Sequence, residues 1–137
     1  MHKLPAIAVV LIGLAVAWPQ SRKGSGVLGS WEGESKCVVA NSPCHDEHVL
    51  YQISADKRDP EQVNVDGYKI VEGNPEFIGT LACQYHSKQG ALSCTANTSQ
   101  HDDWEFQVFG DAMTGRLTIG EERTLYRRIT LHRSETK

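Results

Sequence analysis

The chain has 137 residues, 39% of them hydrophobic, and 14 basic residues stand against 17 acidic ones for a formal net charge of −3. That balance argues against nucleic acid or an anionic membrane as the main partner, and the length suits one folded domain. Its four cysteines, an even number, point to disulfides formed in an oxidising compartment.

Residues 1–17 read as a signal peptide. A basic start, His2-Lys3, leads into the apolar run Leu4 to Ala17, which ends in the small-x-small pattern Ala15-Val16-Ala17. The run holds 14 residues, short of the roughly 20 needed to span a bilayer, and no cysteine follows to carry a lipid. Cleavage after Ala17 is expected, a retained anchor being the alternative. The mature chain, Trp18 to Lys137, then has 120 residues, 13 basic against 17 acidic for a net charge of −4, and no membrane span. Its expected location is secreted or periplasmic. Residues 18–27, with Pro19, Ser21, Gly24, Ser25 and Gly26, read as a flexible lead-in, residues 28–133 as the folded domain, and residues 134–137 as a tail.

The first strand begins at Gly29-Ser30-Trp31-Glu32-Gly33. Trp31 is large and apolar, and Ser30, Glu32, Glu34 and Lys36 alternate as the wet face. After a turn at Asn41-Ser42-Pro43, the second strand, Asp46 to Ala55, puts Glu47, Val49, Tyr51 and Ile53 on one face. Asp56-Lys57-Arg58-Asp59-Pro60 is a charged turn. The third strand, Gln62 to Val71, turns Val63 and Val65 inward, with a bulge expected at Gly67, beyond which Tyr68 and Ile70 take over the apolar period. Glu72-Gly73-Asn74-Pro75 is the next turn. The fourth strand, Phe77 to Tyr85, offers Phe77, Gly79, Leu81, Cys83 and Tyr85 to the core, and the fifth, Ala91 to Ala96, offers Leu92 and Cys94. A polar loop, Asn97 to Asp103, carries the formal glycosylation sequon Asn97-Thr98-Ser99. Trp104, Phe106 and Val108 mark the sixth strand; Met113, Gly115, Leu117 and Ile119 the seventh; Leu125, Arg127, Ile129 and Leu131 the eighth.

Eight short strands joined by turn-rich links, with no convincing amphipathic helix, indicate an all-β meander. Such a meander removes its edges by closing into an eight-stranded antiparallel up-and-down barrel; a two-sheet β-sandwich is the alternative. Local cysteine pairing is favoured. Cys83 and Cys94 flank a hairpin turning near Ser87-Lys88-Gln89-Gly90, and Cys37 and Cys44 bracket a short loop. Closing loops this short stabilises by about 2–3 kcal/mol each. Zinc is the alternative, but no Cys-x-x-Cys pair is present.

Arg127 is the residue that most needs explaining. Strand alternation turns it inward, and an unpaired buried guanidinium would cost several kcal/mol. Trp31 beneath it, Glu47 across the first strand where Gly33 and Ser35 leave room, or a ligand carboxylate are its candidate partners. Arg133, on the same inward period, is an alternative partner for Trp31. The barrel interior reads both ways. Trp31, Tyr51, Phe77, Tyr85, Trp104, Phe106 and Met113 are bulky enough to fill an eight-stranded barrel, whereas Gly33, Ser35, Gly79, Ala96 and Gly115 leave space for a small cavity at one end. His45-Asp46-Glu47-His48 has metal-ligand composition, but on an extended strand at most two of its side chains converge. No nucleophile constellation, phosphate loop or paired carboxylate is readable, so neither an enzyme nor a cofactor site is expected.

The Gly29-x-Trp31 opening and the arginine-bearing final strand, Leu125-Tyr126-Arg127-Arg128-Ile129-Thr130-Leu131, resemble the calycin superfamily of lipocalins, fatty-acid-binding proteins and avidins. That resemblance implies a closed barrel in which an arginine of the last strand packs across the opening tryptophan. In the fatty-acid-binding branch, last-strand arginine and tyrosine residues hold the ligand head group, which nominates Arg127; here Tyr126 directly precedes Arg127, unlike the Arg-x-Tyr spacing of that branch. Over nearly the whole mature chain, Trp31-x-Gly33, Cys44-His45-Asp46-Glu47, Tyr51 and Leu125-Tyr126-Arg127 also resemble a set of small secreted bacterial proteins of unknown function. The expectation is an exported, non-enzymatic barrel binding a small apolar or carboxylate-bearing ligand through Arg127, Trp31, Glu47 and Tyr51. The alternative is a protein-interaction module, such as an inhibitor of an envelope enzyme, acting through the Cys37–Cys44 loop and Asn97 to Asp103.

Overall fold

Alternation of apolar and polar side chains folds each of eight segments into a strand, and no helix occurs among the described residues, 26–96 and 101–134 of this computed structural model. The strands are β1 (Gly29–Cys37), β2 (Glu47–Ala55), β3 (Gln62–Val71), β4 (Asn74–His86), β5 (Ala91–Ala96), β6 (Asp102–Phe109), β7 (Ala112–Ile119) and β8 (Thr124–Arg133). Each pairs antiparallel with its chain neighbours, and β8 pairs back onto β1, so all eight form one closed up-and-down barrel rather than a sandwich. The signal peptide, its cleavage site, most of the lead-in, the Asn97-Thr98-Ser99 sequon and most of the C-terminal tail lie outside the described residues.

The inward face is the expected one over most of the wall. Trp31, Val49, Tyr51, Ile53, Val63, Val65, Cys83, Leu92, Cys94, Phe106, Met113, Ile129 and Leu131 are buried together, and Leu81, Tyr85, Trp104 and Val108 pack against them. Both expected disulfides are present, Cys37–Cys44 and Cys83–Cys94. The second joins directly opposed residues of β4 and β5, with both cysteines in the core.

Two irregularities shift this pattern. Gly67 of β3 faces Gly79 and Tyr68 faces Phe77, so Ile78 is the extra residue and the bulge lies on β4 rather than β3. β3 therefore keeps its period, with Tyr68 and Ile70 on the outer face, while Phe77 flips out of the core. Phe77 is 61% exposed and meets Tyr68 edge-on at 5.5 Å between ring centroids. On β8 a similar shift leaves Tyr126 as the extra residue. Leu125 thus comes opposite Thr118 and is only half-buried.

The barrel's ends differ. At the basal end, where β1 starts, Trp31 is fully buried and donates its indole N–H to the Val27 carbonyl at 2.8 Å, with Val27 itself fully buried. The Arg133 guanidinium lies over the Trp31 ring at 4.4 Å and donates to the carbonyls of Leu28 and Gly26, each at 2.8 Å. Asp111 accepts from its Nε at 3.2 Å. Of the two arginines considered for Trp31, Arg133 therefore takes the place.

Candidate functional site

The distal end, where β1 stops, brings Arg127, Glu47 and Tyr51 together. β8 aims Arg127 inward, opposite Cys37 of β1, while β2 aims Glu47 inward opposite Ser35. The Arg127 side chain is only 13% exposed. Its Nη1 donates to the Ser35 hydroxyl at 3.2 Å and to the carbonyls of His45 at 3.1 Å and Ser35 at 3.4 Å. Glu47 approaches the same nitrogen only to 3.9 Å, a charge contact outside hydrogen-bonding range. Ser35, itself buried, is thus part of the site. Its signal in the sequence was a small polar residue on the inward period of β1, which read as mere room for Glu47.

Tyr51 lies deeper. Burial pushes its hydroxyl well above the ordinary tyrosine value of 10.0, with the Arg127 charge pulling it down and that of Glu47 pushing it further up. All three groups are therefore within electrostatic reach of one another. The Tyr51 ring meets Phe106 edge-on at 6.1 Å, and Trp104 stacks on Phe106 at 6.4 Å with planes 8° apart. Below them the core is filled, with Trp31, Leu92, Met113, Ile129 and Leu131 each at most 1% exposed. The fourth expected contact residue, Trp31, stands sealed at the basal end. A shallow hollow of about 730 Å³ at the distal rim is lined by Val39, His101, Ile119, Thr124 and Tyr126 among others, and by none of Ser35, Glu47, Tyr51 or Arg127; Glu47 borders a separate surface hollow of about 350 Å³ with Glu34, Lys36, Asp46 and His48.

The residues of His45-Asp46-Glu47-His48 divide among separate tasks. His45 gives its carbonyl to Arg127, Asp46 accepts from the Cys37 amide at 2.8 Å, Glu47 faces Arg127, and His48 bonds Glu32 at 2.8 Å on the outer face. Asp46 therefore ties the Cys37–Cys44 loop back onto β1, and the Val38 amide ties it to the Tyr126 carbonyl at 3.0 Å. Among the described residues, no group of three His, Cys, Asp or Glu side chains is placed to hold a metal ion.

Gly33 has a different role from the one expected. A side chain there would run into the Thr130 carbonyl and the Leu131 Cα, so the glycine leaves no room for Glu47; it lets the backbones of β1 and β8 close.

No family model matches this chain, and no curated protein sequence matches it. The closed eight-stranded barrel is compatible with a calycin-like fold, and its two disulfides are consistent with an oxidising compartment.

Proposed function

We propose that this chain is an exported, non-enzymatic barrel that binds a small carboxylate-bearing ligand with an apolar body at its distal end. Arg127 is the anchor for the carboxylate, with Glu47 and Tyr51 beside it. The observation that carries this reading is a nearly buried guanidinium whose only described carboxylate neighbour stays at 3.9 Å. Such a charge in a region of lowered dielectric is an effective site for a carboxylate, because paired, charge-assisted hydrogen bonds are stronger than neutral ones. The packed interior confines the ligand to the distal end, and Trp31 supports binding by holding the other end shut.

Native mass spectrometry of the mature protein, secreted to a periplasm so that both disulfides form, tests this reading. The expected result is a bound mass that disappears on denaturation and is absent from a folded Arg127→Gln variant. A bare mass, with no uptake from a panel of short and medium-chain fatty acids, would overturn it. That outcome would favour a protein-interaction module. The disulfide-braced Cys37–Cys44 loop, with Val38 45% exposed, supports this second reading; the other loop expected to act there, Asn97 to Asp103, is described only from His101 onward.

A further inference from the structure

The barrel wall forks between β4 and β5 toward the distal end. β4 pairs with β3 from Asn74 to Gln84 but with β5 only from Cys83 to His86. Past the Cys83–Cys94 disulfide, β5 follows β6 instead, Thr95 and Ala96 pairing with Asp103 and Asp102. Residues 74–82 of β4 therefore have β3 on one side and, among the described residues, no strand partner on the other. Residues 97–100, which join β5 to β6, lie outside the described residues.

The inner face is less well covered along this fork than below it. Toward the base, the inward side chains of Cys83, Leu92, Cys94 and Phe106 are at most 3% exposed. Beside the fork, Gly79 and Leu81 of β4 and Trp104 of β6 are only half-buried, although all three stand on the inward period. Gly79 faces Gly67 across the β3–β4 pair, and a Cβ on Gly67 would lie 3.6 Å from the Tyr51 ring, which puts both glycines on the inner face. A Cβ on Gly79 would meet nothing within 4 Å. In an eight-stranded barrel, whose own side chains just fill the interior, an inward position without a neighbour marks an opening.

The strand order sets β4 opposite β8 in the ring, so the fork faces the strand that carries Arg127. Tyr51 stands between them, its ring bordering Gly67 and its hydroxyl within electrostatic reach of Arg127. A ligand whose carboxylate is held at Arg127 has the filled core beneath it and an open wall across from it. Resting on the carboxylate reading of Arg127, we propose that the ligand is an unbranched aliphatic carboxylate whose tail runs past Tyr51 and leaves the barrel through the β4–β5 fork over Gly79. Tyr51, Leu81 and Trp104 offer apolar contact to its methylenes on the way, and the two glycines give a slender chain clearance. Ile78, the bulge residue next to Gly79, is 56% exposed and meets the chain as it emerges. The packed interior therefore sets no upper limit on the length of the tail.

Calorimetric titration of the mature, disulfide-bonded protein with hexanoate and with dodecanoate tests the proposal, together with NMR of the complex with a dodecanoate that carries a nitroxide at its far end. Dodecanoate should bind at least about tenfold more tightly than hexanoate, because its added methylenes find apolar cover. The nitroxide should broaden the amides of residues 78–82 and the Trp104 indole, and leave the Trp31 indole sharp. Gly79→Leu, which fills the opening, should weaken dodecanoate about tenfold and change hexanoate by less than about twofold, while circular dichroism stays that of the barrel. The nitroxide measurement needs no variant, so it decides the route even where Gly79→Leu disturbs the fold. Three results would overturn the tail route alone: hexanoate binding that Arg127→Gln abolishes while dodecanoate binds no more tightly, dodecanoate binding indifferent to Gly79→Leu, or broadening centred on Val39, Ile119 and Tyr126 at the distal rim. Absence of binding by both acids would instead overturn the Arg127 reading, and the tail route with it.

Discussion

Two arginines six positions apart on β8 share the inward period and do different work. Arg133 closes the basal end by stacking on Trp31 and donating to two carbonyls of the preceding segment; Arg127 faces the distal end. Replacing Arg133 by Ala should cost about 1–3 kcal/mol in urea unfolding, and Lys should recover little, because an ammonium cannot reproduce a planar stack with a fork of donors. Trp31→Ala should cost about 3–5 kcal/mol, the range for emptying a packed aromatic site; a loss under about 1 kcal/mol would mean that the indole does not plug the barrel. Tyr51 adds a pH signature. The folded chain keeps its hydroxyl protonated to a higher pH than the unfolded chain does, so the stability it contributes is complete below the unfolded value near 10.0 and is lost as pH rises beyond it. Tyr51→Phe should flatten the alkaline decline in unfolding free energy, measured against wild type between neutral pH and pH values above that point. The inward period showed that Arg127 and Arg133 needed partners, but it could not divide the partners between them. That division rests on the segment before β1, where the Gly26 and Leu28 carbonyls hold Arg133, and no sequence period records their approach.

Strand by strand, alternation carried the fold wherever the register was regular. β6, with Trp104, Phe106 and Val108 against Glu105 and Gln107, reads in the structure as it does in the sequence. The losses are at bulges. One extra residue at Ile78 reverses the parity of everything before it on β4, so Phe77 leaves the core, and Tyr126 does the same to Leu125 on β8. A bulge on β4 and one on β3 make similar alternation breaks in the hairpin, and only the pairing tells them apart. Gly33 differs from expectation for a related reason, since the closeness of β1 to β8 is a property of two strands far apart in sequence, Gly33 pairing with Leu131, 98 residues on. Gly33→Ala should destabilise the barrel by about 3 kcal/mol, at the upper end of overpacking effects because the obstacle is backbone. Thermal unfolding of that variant, set beside Gly79→Ala, where an added Cβ meets nothing within 4 Å and the backbone is not left-handed, separates the steric effect from the general cost of losing a glycine. Replacing Cys83 and Cys94 together by Ser should cost about 2–3 kcal/mol and should raise hydrogen exchange first in β5, because past this bridge β4 and β5 no longer pair.

The molecule as a whole is a barrel plugged at one end and charged at the other. Closure of the sheet removes most strand edges, the basal plug anchors the preceding segment, and the distal end collects Ser35, Glu47, Tyr51 and Arg127 from three strands. The proposed ligand function lives in that asymmetry: apolar packing fixes the wall, and one nearly buried cation is left facing the end where the interior is not sealed by Trp31. The measurement that tests it most directly is an amide and indole NMR titration of the oxidised mature protein with hexanoate. Saturable shifts confined to Ser35, Glu47, Arg127 and their neighbours, with the Trp31 indole unmoved and the response abolished in Arg127→Gln, are the expected result. No saturable shift at the distal end, or shifts centred on the Trp31 indole, would contradict it.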